Sequence, residues 1–215
     1  MKAKKNKKER DEILDMYLDR VLKKNKRPKS IHKFCKKNNI DQDKFFSYFS
    51  SFQEIEKLFW STICNSTLSL VSEDIDSKQP VEHKLLNFYY TLFENLTLHK
   101  KVILIFLKRT KSNPFPEKNL RRHILPILKT ISKDIKSMLP DLLAKGSHLF
   151  YSELIWFQFL SLLKFWQRDT SHGSEKTDVF IEKTMSLTSA IHHALPTESI
   201  FDYGKFIYKE IKTSL

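Results

Sequence analysis

Basic and hydroxyl-bearing side chains follow one another at short intervals between residues 29 and 48. Lysine ammonium groups and serine or tyrosine hydroxyls are groups with which proteins contact the phosphates and base edges of duplex DNA. If these side chains share one surface, that surface is a candidate site for DNA. The candidate DNA-binding residues are Lys29, Ser30, Lys33, Lys36, Lys37, Lys44, Ser47 and Tyr48.

Two short helices around a tight turn are expected to position these side chains. Ser30 is a good N-cap for the first helix, and Asn39 tolerates the left-handed conformation that a turn needs. Asp41 can cap the second helix, which presents Lys44, Ser47 and Tyr48 on its exposed side and has Phe45, Phe46 and Phe49 on an apolar side. Two short helices around a tight turn, set among lysines, are typical of a helix-turn-helix DNA-binding unit.

The chain of 215 residues carries a net charge of +13, and this excess is concentrated near its start. Residues 1–60 contain 17 basic and 9 acidic residues, a local excess of eight positive charges. A basic region on a helix-turn-helix candidate favours a polyanionic partner. A lysine-rich solvated surface has the same composition, so composition alone leaves both interpretations open.

The remainder of the chain is predicted to be all-α, because apolar residues recur at three- and four-residue spacing and only three glycines occur. Residues 1–8 are predicted to be a disordered basic arm that reaches along the phosphate backbone. Pro126 predicts a kink or a new helix start. About nine or ten helices are expected. Besides the two short ones they span residues 9–24, 51–72, 81–98, 99–111, 117–139, 147–168, 176–195 and a final segment after Pro196.

Motifs for catalysis, nucleotide binding and metal binding do not occur in the sequence. The histidines are scattered, there is no glycine-rich phosphate loop, and Cys35 and Cys64 are expected to be small core residues. We therefore expect no enzymatic activity, no cofactor and no metal. The basic start lacks an apolar segment after it, and the longest apolar run, residues 102–107, is too short to span a bilayer. The chain is expected to be cytoplasmic and not membrane-spanning.

The pattern of residues 39–55 resembles the TetR/AcrR family of bacterial transcriptional regulators. Its helix-turn-helix has roughly the form G-V-S-x-G-T-[LI]-Y-x-[HY]-F-x-S-K-E-x-L. The resemblance implies a helix-turn-helix domain with a basic N-terminal arm in residues 1–50 and a helical ligand-binding and dimerisation domain in residues 51–215. The pattern's apolar character is kept at Ile40, Phe45, Phe46, Phe49 and Ile55, and Tyr48 and Ser51 also fit the pattern.

Four departures from the family pattern fall on the DNA-contacting side of the unit. The family's Gly-Thr at the start of the recognition helix is Asp43-Lys44 here, and Asp41 adds a second acid. The tyrosine whose hydroxyl usually touches phosphate is Phe46, and the lysine that starts the fourth helix is Phe52. A carboxylate that faces phosphates is repelled by them. The apolar scaffold positions are therefore kept, while several DNA-contacting positions are not.

The predicted helix 147–168 is apolar nearly all round, so both of its faces need a covering partner. One small domain has difficulty covering such a helix, which favours a homodimer that also uses helix 176–195. A purely structural core helix has the same pattern. The candidate dimer residues are Phe150, Phe157, Phe165, Phe180 and Ile191.

Aromatic residues in the larger domain are candidates for an apolar pocket. A pocket of this kind takes a bulky, hydrophobic, lipid-like effector. An aromatic stripe at helical spacing is also the pattern of a plain core. The candidate ligand-binding residues are Phe88, Tyr89, Phe93, Phe106, Trp156 and Phe159.

Two functional hypotheses follow from these residues. The first is a TetR-like regulator that binds duplex DNA as a homodimer and responds to an apolar effector. The alternative is a TetR-fold protein that has lost DNA reading and binds a lipid or a protein partner, like the TetR-like accessory protein of ubiquinone biosynthesis. The basic residues favour the first hypothesis, whereas Asp41, Asp43, Phe46 and Phe52 favour the second.

Overall fold

The computed structural model describes residues 2–74, 81–108, 116–131 and 147–194, and every regular element in those ranges is helical. This confirms the predicted all-α class. The α-helices are α1 (Lys2–Lys24), α2 (Ile31–Asn38), α3 (Gln42–Tyr48), α4 (Phe52–Asp74), α5 (Val81–Leu98), α6 (Lys100–Phe106), α7 (Pro116–Ile131), α8 (Ser147–Arg168) and α9 (Glu175–Ala194), with a short 3-10 helix at His172–Ser174.

The predicted basic arm is part of α1, so the prediction of disorder is wrong: the helix begins at Lys2 and continues to Lys24. Lysine, alanine, arginine and glutamate are all strong helix formers, and neither glycine nor proline occurs in this stretch. Residue 9, at which the first helix was predicted to begin, lies in the interior of α1.

α7 runs through Pro126, so no new helix begins there. The predicted continuation of this helix past Ile131 and the predicted final helix after Pro196 lie outside the described residues.

The chain divides into two compact units. The first comprises the described residues within Met1–Leu68 and Asn95–His123, and the second those within Ser69–Glu94 and Ile124–Leu215. These units do not follow the predicted boundary between residues 50 and 51. That boundary concerns functional domains, and it stays a prediction.

An aromatic cluster holds the first unit together around the helix-turn-helix. The Phe34 ring packs edge-on against Phe45 at a centroid distance of 6.1 Å and against Phe52 at 5.6 Å. The Tyr17 ring of α1 lies 5.2 Å from the Phe52 ring. Edge-to-face ring pairs of this kind add to the stabilisation that comes from burying the rings. The cluster therefore fixes α2 and α3 against α1 and α4.

The second unit is built on contacts of α8 with α5 and α9. The Phe93 ring lies 6.2 Å from the rings of both Phe159 and Trp166. After α8 the chain turns sharply, and Gly173 adopts a positive φ of 58° that is accessible to glycine at little cost. This turn directs α9 back along α8.

Candidate nucleic-acid interface

The helix-turn-helix is closed by side-chain caps at both of its helices. The Ser30 Oγ accepts a hydrogen bond from the Lys33 N–H at 3.3 Å, and Asn39 adopts the left-handed conformation with φ 53°. The Asp41 Oδ1 accepts from the Asp43 N–H at 3.2 Å and so caps α3. These are the caps and the turn that the sequence predicted.

The lysines predicted to bind DNA are exposed on the surface of this unit. Phe34 and Cys35 form the buried side of α2, which leaves the lysine side chains of the same helix in solvent. The exposed lysines are Lys29, Lys33, Lys36, Lys37 and Lys44, and Ser30 is half-buried as a cap.

Burial raises the pKa of the Cys35 thiol, and burial raises the pKa of the Cys64 thiol to about 12, so neither thiol is a ready nucleophile.

The exposed side of α3 is engaged by an acid that the sequence did not single out. The Tyr48 hydroxyl donates to the Glu9 Oε2 of α1 at 2.6 Å, and the Lys44 Nζ lies 3.6 Å from the same oxygen. The Ser47 hydroxyl donates to the Lys44 carbonyl within the helix at 2.7 Å. The hydrogen bond from Tyr48 to Glu9 raises the pKa of the tyrosine, with burial and the carboxylate charge acting in the same direction.

Phe46 and Phe52, two of the departures from the family pattern, have different structural roles. Phe46 does not share the buried apolar side of α3 with Phe45 and Phe49: it is 52% exposed, because adjacent residues of a helix point about 100° apart, although its ring touches Phe45. Phe52 packs into the aromatic cluster, where a lysine at this position could not be accommodated without loss of packing. Asp41 and Asp43 are both exposed at the start of α3.

A buried polar network lies behind the helix-turn-helix, and sequence reasoning missed it. The Arg27 guanidinium contacts the Glu56 carboxylate at 2.7 Å and 3.2 Å, and the Tyr17 hydroxyl donates to the same carboxylate at 2.9 Å. Burial, then the Glu56 charge, raises the pKa of Tyr17. Glu56 follows Phe52 by four residues on the apolar side of α4, and that position was the signal available in the sequence.

Arg27 also joins α6 to this network. Its guanidinium donates to the carbonyls of Ile105 at 3.2 Å and Phe106 at 2.7 Å, at the end of that helix. A cation is favoured at the carboxyl end of a helix, where carbonyls lack helical partners. The guanidinium also lies 5.4 Å from the centre of the Phe106 ring.

All six candidate ligand-binding residues are buried. Five of them lie in the second unit, whereas Phe106 lies in the first. The Trp156 ring packs 5.3 Å from Phe159, and Phe88 lies 5.9 Å from Tyr89. Phe106 instead packs edge-on against Phe59 at 5.4 Å. The remaining five rings fill space between helices by contacting one another and their neighbours, as a core does.

Two of the candidate dimer residues are exposed on α8. Phe157 is 61% exposed, and Phe165, eight residues further along, is 37% exposed and stacks on the half-buried Phe180 of α9 at 4.5 Å. Phe150 and Ile191 belong to α8 and α9, but their side chains lie outside the described part. An open groove of about 440 Å³ lies on this surface, lined by Phe165, Glu175, Lys176, Val179, Phe180 and Lys183.

Neither a metal site nor a membrane span is found in the described parts of the chain. No group of three or more histidine, cysteine or acidic side chains there could hold a metal ion. None of the helices in the same ranges combines the length and the apolar character that crossing a membrane requires.

A capped helix-turn-helix followed by a larger helical region defines the class of helix-turn-helix regulators with a helical C-terminal domain. Residues 84–207 match the family described as tetracyclin repressor-like, C-terminal domain, which is more than half of the chain. The protein belongs to the TetR family of transcriptional regulators. This match and the motif of residues 39–55 involve different parts of the chain. Neither a curated protein nor a solved structure matches the chain.

Proposed function

We propose that the protein is a transcriptional regulator that binds duplex DNA through α2 and α3. The observation that carries this proposal is the capped helix-turn-helix with five exposed lysines on a chain of the TetR family. In such a unit the second helix enters the major groove while the first crosses the backbone. Lys36 and Lys37 then neutralise phosphates, and Lys44, Ser47 and Tyr48 lie nearest to the bases.

The regulator acts as a homodimer that uses the exposed surface of α8 and α9. Phe157 and Phe165 are eight residues apart on α8, and Val179 and Leu187 are eight residues apart on α9, so each pair lies on one side of its helix. Two-fold pairing of this surface buries these side chains and gives a dimer that carries two helix-turn-helix units. An exposed apolar surface of this kind is a common mark of a protein interface.

An apolar effector binds in the second unit at the cluster of Phe88, Tyr89, Phe93, Trp156 and Phe159. Because these rings contact one another or adjacent core side chains, a bulky effector has to separate packed side chains to enter. Binding of this kind shifts the population between two conformations of the domain, and DNA affinity changes with that population.

Salt-dependent binding to the region upstream of the protein's own gene tests this function. We expect fluorescence anisotropy to show specific binding, and the logarithm of the association constant should fall linearly with the logarithm of the salt concentration. The double change Lys36→Ala and Lys37→Ala should weaken binding roughly tenfold or more and reduce the salt slope by about two. The matched control, Lys101→Ala with Lys129→Ala, removes two other exposed lysines and should leave both quantities unchanged.

The alternative function is a TetR-fold protein that binds a lipid or protein partner instead of DNA. The exposed Asp41, Asp43 and Phe46 at the candidate interface favour it, because phosphates repel the acids and Phe46 lacks the hydroxyl of the family tyrosine. Absence of salt-dependent binding to any duplex, together with lipid that co-purifies in native mass spectrometry, would support this alternative over the regulator.

A further inference from the structure

The Glu9 carboxylate contacts the two side chains of α3 that are best placed to contact DNA, Lys44 and Tyr48. One carboxylate oxygen, Oε2, accepts the Tyr48 hydroxyl at 2.6 Å and lies 3.6 Å from the Lys44 ammonium. The Glu9 side chain is only 24% exposed, while that of Lys44 is 48% exposed. The acid comes from α1, 39 residues before Tyr48, so the contact exists only in the folded unit.

A phosphate that approaches this site meets a negative charge and an occupied donor. A tyrosine hydroxyl has one proton to donate, and in this structure it is directed at Glu9. Tyr48 can therefore donate to a phosphate only after it has released the carboxylate. Lys44 has three protons, but a phosphate that shares its ammonium with Glu9 places two like charges close together.

We propose that Glu9 is an acidic gate on the recognition helix, and that a phosphodiester of duplex DNA displaces it from Lys44 and Tyr48. The proposal rests on the proposed DNA-binding function, and it adds that Glu9 limits the affinity of the protein for DNA. The gate lowers the affinity for DNA in general, so that close contact with α3 is made only where the remaining contacts are good enough to open it. The cap of α3 is a separate contact, in which the Asp41 carboxylate accepts from the Asp43 N–H.

Substitution of Glu9 distinguishes a gate from a support for α3. We expect Glu9→Gln to bind the upstream duplex roughly three- to tenfold more tightly than the wild type, because the amide is uncharged and a weaker acceptor. Glu9→Ala, which has no acceptor, should show the same direction. The control Asp19→Asn removes an acid from the same helix that pairs with Lys23 at 2.7 Å, and it should change the affinity less than twofold.

A double-mutant cycle with Lys44→Met supplies the second readout. If Glu9 is a gate, loss of Lys44 weakens DNA binding more in the Glu9→Gln background than in the wild type. In the wild type the same change also removes the contact between Lys44 and Glu9, which DNA would otherwise have to break, and this offsets part of the loss. With a support, the loss is smaller in the Glu9→Gln background. Thermal unfolding of each variant shows whether the unit remains folded.

The outcomes separate the gate from the proposed function. If the wild type binds DNA and Glu9→Gln binds it more weakly, or no differently from Asp19→Asn, the gate is wrong and the DNA-binding function stands. If Glu9→Gln binds DNA and the wild type does not, the gate is supported in its strongest form. If no variant binds any duplex at low salt, the proposed function fails and the gate fails with it.

Discussion

Arg27 and Glu56 show how strongly single side chains can depend on one another in the first unit. Both are largely removed from water, with side-chain exposures of 21% and 9%, and their closest atoms are 2.7 Å apart. A charge in such a place is tolerated only when its partner and hydrogen bonds replace the lost hydration. Tyr17 and two α6 carbonyls complete that set of partners, so removing either charge leaves the other without its main partner.

Arg27→Met should therefore destabilise the protein by about 3 kcal/mol, because it removes the charge that compensates the buried Glu56 carboxylate and leaves, among the described residues, the Tyr17 hydroxyl as its side-chain partner. Denaturant unfolding followed by circular dichroism measures this difference. Lys23→Met is the control, since Lys23 and Asp19 form an exposed pair that should contribute less than about 1 kcal/mol. Equal losses in the two variants would show that burial does not decide the value of the Arg27 pair.

At the scale of the elements, the turn between α8 and α9 depends on one carboxylate. The Asp169 Oδ1 accepts from the Ser171 N–H and hydroxyl at 2.9 Å and 2.6 Å, and its Oδ2 accepts from the Thr177 N–H and hydroxyl at the same two distances. Burial by itself would raise the pKa of Asp169, but these four hydrogen bonds outweigh it and lower the pKa from 3.8 to about 2.

Asp169→Asn should destabilise the second unit by about 2 kcal/mol at neutral pH, because an amide nitrogen cannot accept the Thr177 hydrogen bonds. The pKa is lower in the folded state, so the stabilisation by Asp169 is complete above about pH 4 and is lost as pH falls through about 2. Unfolding experiments between pH 7 and 2 should show the wild type and the variant converge at the acid end. A constant difference over this range would contradict the role of the carboxylate charge.

Short elements were the best predicted part of the fold. α2, α3 and their caps followed from Ser30, Asn39 and Asp41, because capping and the left-handed turn are interactions between residues close in sequence. The error at the start of α1 had the opposite cause. Runs of lysine suggested a solvated arm, but the same residues are good helix formers and continue a helix that the core stabilises further along.

At the scale of the whole molecule, the exposed residues of α8 and α9 predict self-association. Leu187→Asp should convert the proposed homodimer to a monomer, or weaken dimerisation at least tenfold, because it places a charge in the proposed interface, which has to lose water. Sedimentation at several protein concentrations measures this. Leu98→Asp is the matched control: Leu98 is 75% exposed and Leu187 is 60% exposed, but Leu98 belongs to α5. If both variants and the wild type sediment alike, the proposed surface is wrong.

The sequence by itself determined the helical class, the helix-turn-helix and its resemblance to one family, because helical spacing, caps and turn residues act over a few neighbouring positions. Only the tertiary structure decided what Glu9, Arg27 and Phe52 contact. Glu9 meets a residue 39 positions away and Arg27 a carbonyl 79 positions away. Periodicity indicates that a side chain faces inward, but it does not identify the residue that the side chain contacts in the folded chain. The exposed lysines were therefore predictable, whereas the acid that contacts Lys44 and Tyr48 of α3 was not.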